Sequence, residues 1–201
     1  MISRRIARII LTTLLISITL LWGLYYVIGV VGRSIDVTID GANYQLGAEH
    51  ISQVAPESVH FHGKVFRDMN GLRTFKGTIS FVHHTIVFPI GAEATTIHFD
   101  HYGYGPIMYG YFEVGISRVA IPRIYNNGVL FVNSDFSEVT VLRMMDIVAK
   151  DGSVGKSWSA EDGFMFAGPA TSREQALNIS NKLMKKYLTN SGYAGGQFVL
   201  K

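Results

Sequence analysis

The sequence predicts a membrane-anchored α+β protein: one N-terminal transmembrane helix, then a mostly antiparallel β domain with one late amphipathic helix. Three observations carry this reading. Residues 9–31 contain no charged side chain. Beyond them, apolar and polar residues alternate in short runs, the mark of half-buried strands. Near the C-terminus the alternation gives way to a three- and four-residue apolar spacing behind a capping sequence.

The first element is the uncharged stretch. At about 1.5 Å per residue a helix of this length crosses a hydrocarbon core of about 30 Å. Trp22, Tyr25 and Tyr26 cluster towards its far end, where amphipathic rings favour a membrane–water boundary. Arg4, Arg5 and Arg8 precede it without an acidic residue to offset them. The positive-inside bias then divides the chain into a cytoplasmic basic tail (1–8), a transmembrane signal anchor (9–31) and an extracytoplasmic β-rich domain (32–201). The expected location is the cell membrane, with a single pass and contact with the bilayer through residues 9–31. A cleaved signal peptide is the competing reading. Its apolar region is shorter, about 7 to 15 residues, and ends at small residues, for which Val30 and Gly32 are poor substitutes.

The strands follow in order. Residues 35–39, then Asp40 and Gly41, then 42–46 read as a hairpin, because an Asp-Gly pair supplies the positive φ of a two-residue turn. A second hairpin is expected from 59–67 and 72–82, joined by 68–71. Further strands are expected at 85–88, 95–99, 107–114, 119–121, 129–132 and 163–166. Gly115, the run Asn126, Asn127 and Gly128, and the pair Asp151 and Gly152 punctuate them. Over 136–147, Asp135 and Glu138 offer a helix cap, but the β-branched Val139, Thr140 and Val141 favour a strand. The late helix is announced by Thr171 and Glu174 as a capping box, with Ala176, Ile179, Leu183 and Tyr187 in one apolar stripe. Lys182, Lys185 and Lys186 fall near its negative pole. Val199 and its neighbours are read as a last strand. The sheet is expected to fold over itself with the helix covering one face.

Composition excludes several classes of function. Without cysteine there is no disulfide scaffold, thiolate metal site or cysteine nucleophile. The pI of about 9.1 suggests nucleic acid. Yet three of the 18 Lys+Arg precede the apolar stretch and all 15 Asp+Glu follow it, so the rest of the chain is formally neutral. A neutral domain lacks the basic footprint that phosphate backbones require.

The histidines are the first candidates for a site, because imidazole binds metals and moves protons near neutral pH. Strand alternation sends Val59 and Phe61 to one face and His60 and His62 to the other, close enough for two imidazoles to share a metal ion. His60 and His62 would then serve a metal-dependent hydrolase, against the plainer reading of an exposed polar strand face. His98 and Asp100 form a similar pair, and His83 with His84 lies at an expected turn. The segment from Gly152 to Ser157 resembles half of a phosphate-binding loop, but Lys150 stands where its first glycine belongs and no helix follows. No G-x-S-x-G elbow is present. Glu161 and Asp162 are adjacent and point apart, and Asn178 in a glycosylation sequon lies inside the expected helix.

The most distinctive segment runs from 101 to 112. Tyr102, Tyr104, Tyr109, Tyr111 and Phe112 are interleaved there with Gly103, Gly105, Pro106 and Gly110. Tyrosine combines an apolar ring with a polar tip, as binding surfaces use. Tyr102 and Tyr104 are expected to be exposed binding residues, with Tyr109 or Tyr111 in the core. Both faces of 107–114 are largely apolar, which suits a central strand covered on both sides. The expected function is therefore a single-pass membrane protein whose outer domain binds a protein, peptide or glycan partner. No cofactor is implied, and nucleic acid is excluded.

Overall fold

A computed structural model describes residues 4–83, 95–114, 118–148, 152, 154–190 and 199–201. The chain is mostly antiparallel β, with an apolar N-terminal helix and a late helix. Helix α1 spans Arg4–Val31. Within it Arg8–Val27 has a mean hydropathy of 1.9 and none of it is buried by the rest of the protein. Its threonine and serine hydroxyls are satisfied internally. Thr12, Thr13, Ser17 and Thr19 donate to carbonyls three or four residues back, so α1 offers its surroundings little unpaired polarity. Trp22, Tyr25 and Gly29 of α1 line a groove with Phe66, Arg67 and Met69, at the turn that leaves the second strand.

Ten strands follow. They are β1 (Arg33–Gln45), β2 (Val54–Arg67), β3 (Arg73–Phe81), β4 (Thr95–His98), β5 (Gly105–Val114), β6 (Ala120–Val132), β7 (Val139–Arg143), β8 (Met145–Val148), β9 (Val154–Ser157) and β10 (Phe164–Gly168). Eight of them form one sheet in the order β4-β3-β2-β1-β10-β7-β6-β5, and β8 with β9 forms a separate hairpin. The two edge strands, β4 and β5, are consecutive in the chain. Flat, eight strands at about 4.8 Å spacing would part those edges by roughly 34 Å, further than the short 99–104 connection reaches. The sheet therefore curls on itself as an up-and-down meander. Asp100 builds the connection: its carboxylate accepts from the Tyr102 and Tyr104 amides at 2.8 and 2.9 Å.

Alternation along each strand fills the inside of the curl. Ile35 and Ile39, Val59 and Phe61, Phe75 and Ile79, Ile97, Leu130, Val141 and Phe166 form one buried cluster. Phe136, in the turn between β6 and β7, adopts a φ of 63° and closes one end. Its ring meets Phe61 at 5.5 Å and Phe75 at 5.7 Å. Arg73 holds that turn by donating to the Val132 and Asn133 carbonyls, and Arg33 donates to Ser134. The plugged end is thus the end next to α1.

Helix α2 (Arg173–Asn190) covers the outside of β1, β10, β7 and β6, where Tyr44, Phe131, Leu142 and Met165 meet Ala176, Met184 and Leu188. Within 136–147 the β-branched run forms strand β7 and β8 begins at Met145, with no helix, while 136–138 belong to the turn before β7. The second hairpin also forms as expected, from β2 and β3.

Several expectations change. Asp40 and Gly41 make no turn: β1 runs straight through them, and its hairpin partner β2 is reached by way of Ala48–His50. Gly41 is needed for close approach, since a Cβ there would lie 2.3 Å from the Ala167 carbonyl oxygen. Asn126, Asn127 and Gly128 likewise stay within β6, opposite a register shift at Ile107 and Met108. A Cβ on Gly128 would lie 2.1 Å from the Leu142 carbonyl oxygen. The helix cap falls one residue later than Thr171 and Glu174: Ser172 accepts from the Gln175 amide at 3.3 Å. Residues 199–201 form no strand; Leu200 instead exchanges two hydrogen bonds with Asn181 of α2. The expected strand 85–88, His84, Gly115, Lys150 and Asp151 lie outside the described residues.

Candidate functional site at the open end of the sheet

Opposite the plug, the inward positions turn polar. On β2 the parity of Val59 and Phe61 carries Glu57 inside, and on β7 that of Val139 and Val141 carries Arg143 inside. Glu57 is 2% exposed. Its carboxylate accepts from the Ser58 and His83 amides, each at 3.0 Å, and from Asn43 Nδ2 at 3.2 Å. The Arg143 guanidinium lies 5.2 Å from the centre of the Phe81 ring. Desolvation pushes its pKa down, and the charge of Glu57 opposes that. A cleft of about 380 Å³ opens here, lined by Asn43, Gln45, Ser52, Gln53, Arg143 and Phe164 among others. Asn43 Oδ1 is buried in its wall without a hydrogen-bond partner.

Beside the cleft, β5 and β6 run on past their neighbours. β6 pairs with β7 only from Gly128 to Val132, so the length from Met108 to Tyr125 is a two-stranded ribbon. Its register puts Tyr109 opposite Tyr125, with stacked rings 5.0 Å apart. Lys156 of β9 sits 5.1 Å over Tyr125 and pairs with Asp146 of β8 at 2.9 Å. The tyrosine face is therefore partly covered by the β8–β9 hairpin. Desolvation, with Tyr125 and Tyr111 adding to it, pushes the Tyr109 phenol up to about 12. The other ribbon face is exposed, with no described residue packed over it. Met108, Phe112 and Val114 stand there with Ile124, and Phe112 and Ile124 are 72% and 78% exposed. So β5 is an edge strand with one open apolar face, and not the doubly covered central strand its composition suggested.

The aromatic platform does not assemble. Tyr102 and Tyr104 lie in the turn at the plugged end, whereas Tyr109 and Tyr111 lead away along β5. Tyr102 is 36% exposed, with His101 4.7 Å away. Tyr104 is half-buried, contrary to expectation: it stacks on Tyr187 of α2 at 5.5 Å and meets Phe131 edge-on. Burial raises its pKa, and Asp100 adds to the effect. Tyr109 is half-buried and Tyr111 exposed, so neither belongs to the core.

His60 and His62 face outward from β2, as alternation required, on a polar stretch of sheet. They converge on a residue the sequence reading passed over. Asp36 of β1 meets His60 Nε2 at 2.8 Å and His62 Nδ1 at 3.4 Å, its carboxyl pKa lowered chiefly by the His60 hydrogen bond. Among the described residues no group of three or more His, Asp or Glu side chains is arranged to hold a metal ion. His98 bonds to Thr74 across the β3–β4 ladder at 3.1 Å. The half-motif at 152–157 is mostly strand β9, with no helix behind it. Ser180 of the sequon is fully buried in α2. No family model, curated protein or solved structure matches this chain.

Proposed function

We propose that this is a single-pass membrane protein, N-terminus cytoplasmic, whose outer β domain docks a protein partner through the β5–β6 ribbon. The observation that carries the reading is the bare ribbon face. Met108, Phe112, Val114 and Ile124 together form an exposed apolar surface that no other described residue covers, and contiguous exposed apolar surface marks interaction sites. A ribbon is suited to this role because its two-stranded backbone is already ordered, so docking loses little conformational entropy. The uncharged stretch 9–31 of α1 and the arginines at its start support the anchor, and the ribbon stands at the end of the domain away from α1. Tyr102, exposed at the other end, is a second and smaller contact in this proposal.

The test is a photo-crosslinking amino acid placed singly at Phe112, Ile124 or His62 of the full chain in native membranes. The two ribbon positions are expected to give one discrete adduct each, of the same partner, and the polar-face position none. An adduct of twice the chain's own mass identifies a second copy as that partner. Equal labelling at all three positions, or none at any, sinks the proposal.

A further inference from the structure

The cleft beside the ribbon carries a guanidinium that makes no direct contact with an acceptor among the described residues. Arg143 projects inward from the end of β7 and lines the cleft, yet its guanidinium has no hydrogen bond or ion pair to any described residue. Guanidinium offers five N–H donors in a planar fork, a geometry that matches a carboxylate in bidentate fashion. Burying such a group without an acceptor is costly, and Phe81 contacts only its face. The nearby negative charge, Glu57, is engaged elsewhere. It is shut away from solvent and holds the Ser58 and His83 amides and Asn43.

A second gap lies in the same wall. Because the Glu57 carboxylate can only accept, Asn43 must turn its Nδ2 towards it, and this leaves Oδ1 as the buried orphan. Among the described residues, an acceptor without a donor and a donor fork without an acceptor thus border one cleft. Its volume, about 380 Å³, suits a group of amino-acid size, and Phe164 and Val54 supply apolar wall.

We infer that this cleft binds a carboxylate with an N–H donor on the neighbouring carbon, held by Arg143 and, after a small side-chain shift, by Asn43. Two sources share that chemistry: a free amino acid and the C-terminus of a polypeptide. The inference rests on the reading that the end remote from α1 is the binding end, and it names the chemistry recognised there.

The experiment uses the full chain in detergent and three probes: free L-leucine, N-acetyl-Ala-Leu as the free acid, and the same dipeptide as its C-terminal amide. Calorimetric or fluorescence titration of the wild type is expected to show saturable binding of the free acid, weakened at least about tenfold in the amide, since a charge-assisted contact is lost. Binding of leucine as well as the acid assigns the free amino acid as a ligand; binding of the acid alone assigns a chain end. Arg143→Gln is expected to abolish the difference between acid and amide. The acid–amide comparison needs no variant, so a misfolded Arg143→Gln protein does not blunt the test. Equal affinity for acid and amide overturns the inference, as does no saturable binding of either acid. Phe112→Asp keeps the carboxylate site while spoiling the ribbon, so loss of ribbon crosslinks with retained acid binding separates the two proposals.

Discussion

One hydroxyl, that of Ser180, ties α2 to the sheet. Tyr44 donates to Ser180 Oγ at 2.7 Å, and Thr140 donates to the Phe166 carbonyl at 2.9 Å. Each hydroxyl has one proton, so Ser180 must donate its own to Thr140 Oγ1, 2.7 Å away. The chain of donors runs in one direction and ends on the backbone of β10. Ser180→Ala strands the Tyr44 hydroxyl with no acceptor in a buried site, at an expected cost of about 1–3 kcal/mol in denaturant unfolding. Tyr44→Phe removes a donor and strands nothing that must donate, so its cost is expected to be smaller. Burial also pushes the Tyr44 phenol well above its ordinary 10.0. The native state then keeps a proton that the unfolded chain releases, so stability is full below pH 10 and falls as pH rises beyond it. The alkaline decline is expected to be shallower in Tyr44→Phe, with Tyr104 and Tyr109 keeping part of it. Thermal melts at stepped pH measure the slope, and an unchanged slope shows that Tyr44 is not the buried phenol responsible.

Strands were the legible elements, because period-two alternation shows which residues share a face whatever the pairing. Val59 and Phe61 inside and His60 and His62 outside follow from that alone. Turns read from dipeptides failed at 40–41 and 126–128, where glycine serves close approach of two backbones. The dipeptide is the same in both uses, and only the neighbour crossing it decides. For this reason Gly41→Ala is expected to destabilise by roughly 1–3 kcal/mol, since backbone rather than a flexible side chain must give way. Gly155→Ala in β9 meets nothing within 4 Å and is expected to change stability by no more than about 0.5 kcal/mol. Unfolding midpoints of the two variants check the contrast, and equal losses refute it. The site was half-legible for a related reason. Glu57 and Arg143 share parity with the core residues two positions away, which flags them as inward charges. That Arg143 lines one cleft with Asn43, which Glu57 holds from behind, depends on β2, β1, β10 and β7 lying side by side, an arrangement of distant segments that no local pattern encodes.

At the scale of the molecule, the curled sheet has a direction. Its plugged end, with Phe136, Arg73 and Arg33, adjoins α1, and its polar cleft and apolar ribbon lie at the other end. β1 alone, Arg33–Gln45, leads from one to the other, and at about 3.3 Å per residue its 13 residues rise tens of ångströms even when tilted. If α1 spans a bilayer, the proposed binding end therefore stands clear of the headgroups, facing whatever approaches the membrane on the side of the β domain. In the proposed topology the orientation rests on Arg4, Arg5 and Arg8, which the positive-inside bias would hold on the cytoplasmic side because moving them across is costly. Protease added to sealed right-side-out vesicles is expected to digest the β domain, and in inverted vesicles the domain is expected to be protected. Replacing the three arginines by glutamate is expected to shift part of the population to the opposite orientation. A protected domain in right-side-out vesicles would place the ribbon in the cytoplasm. A soluble product beginning near Arg33 would instead mean that residues 9–31 are removed, and the ribbon would then act on a free domain with no membrane to face away from.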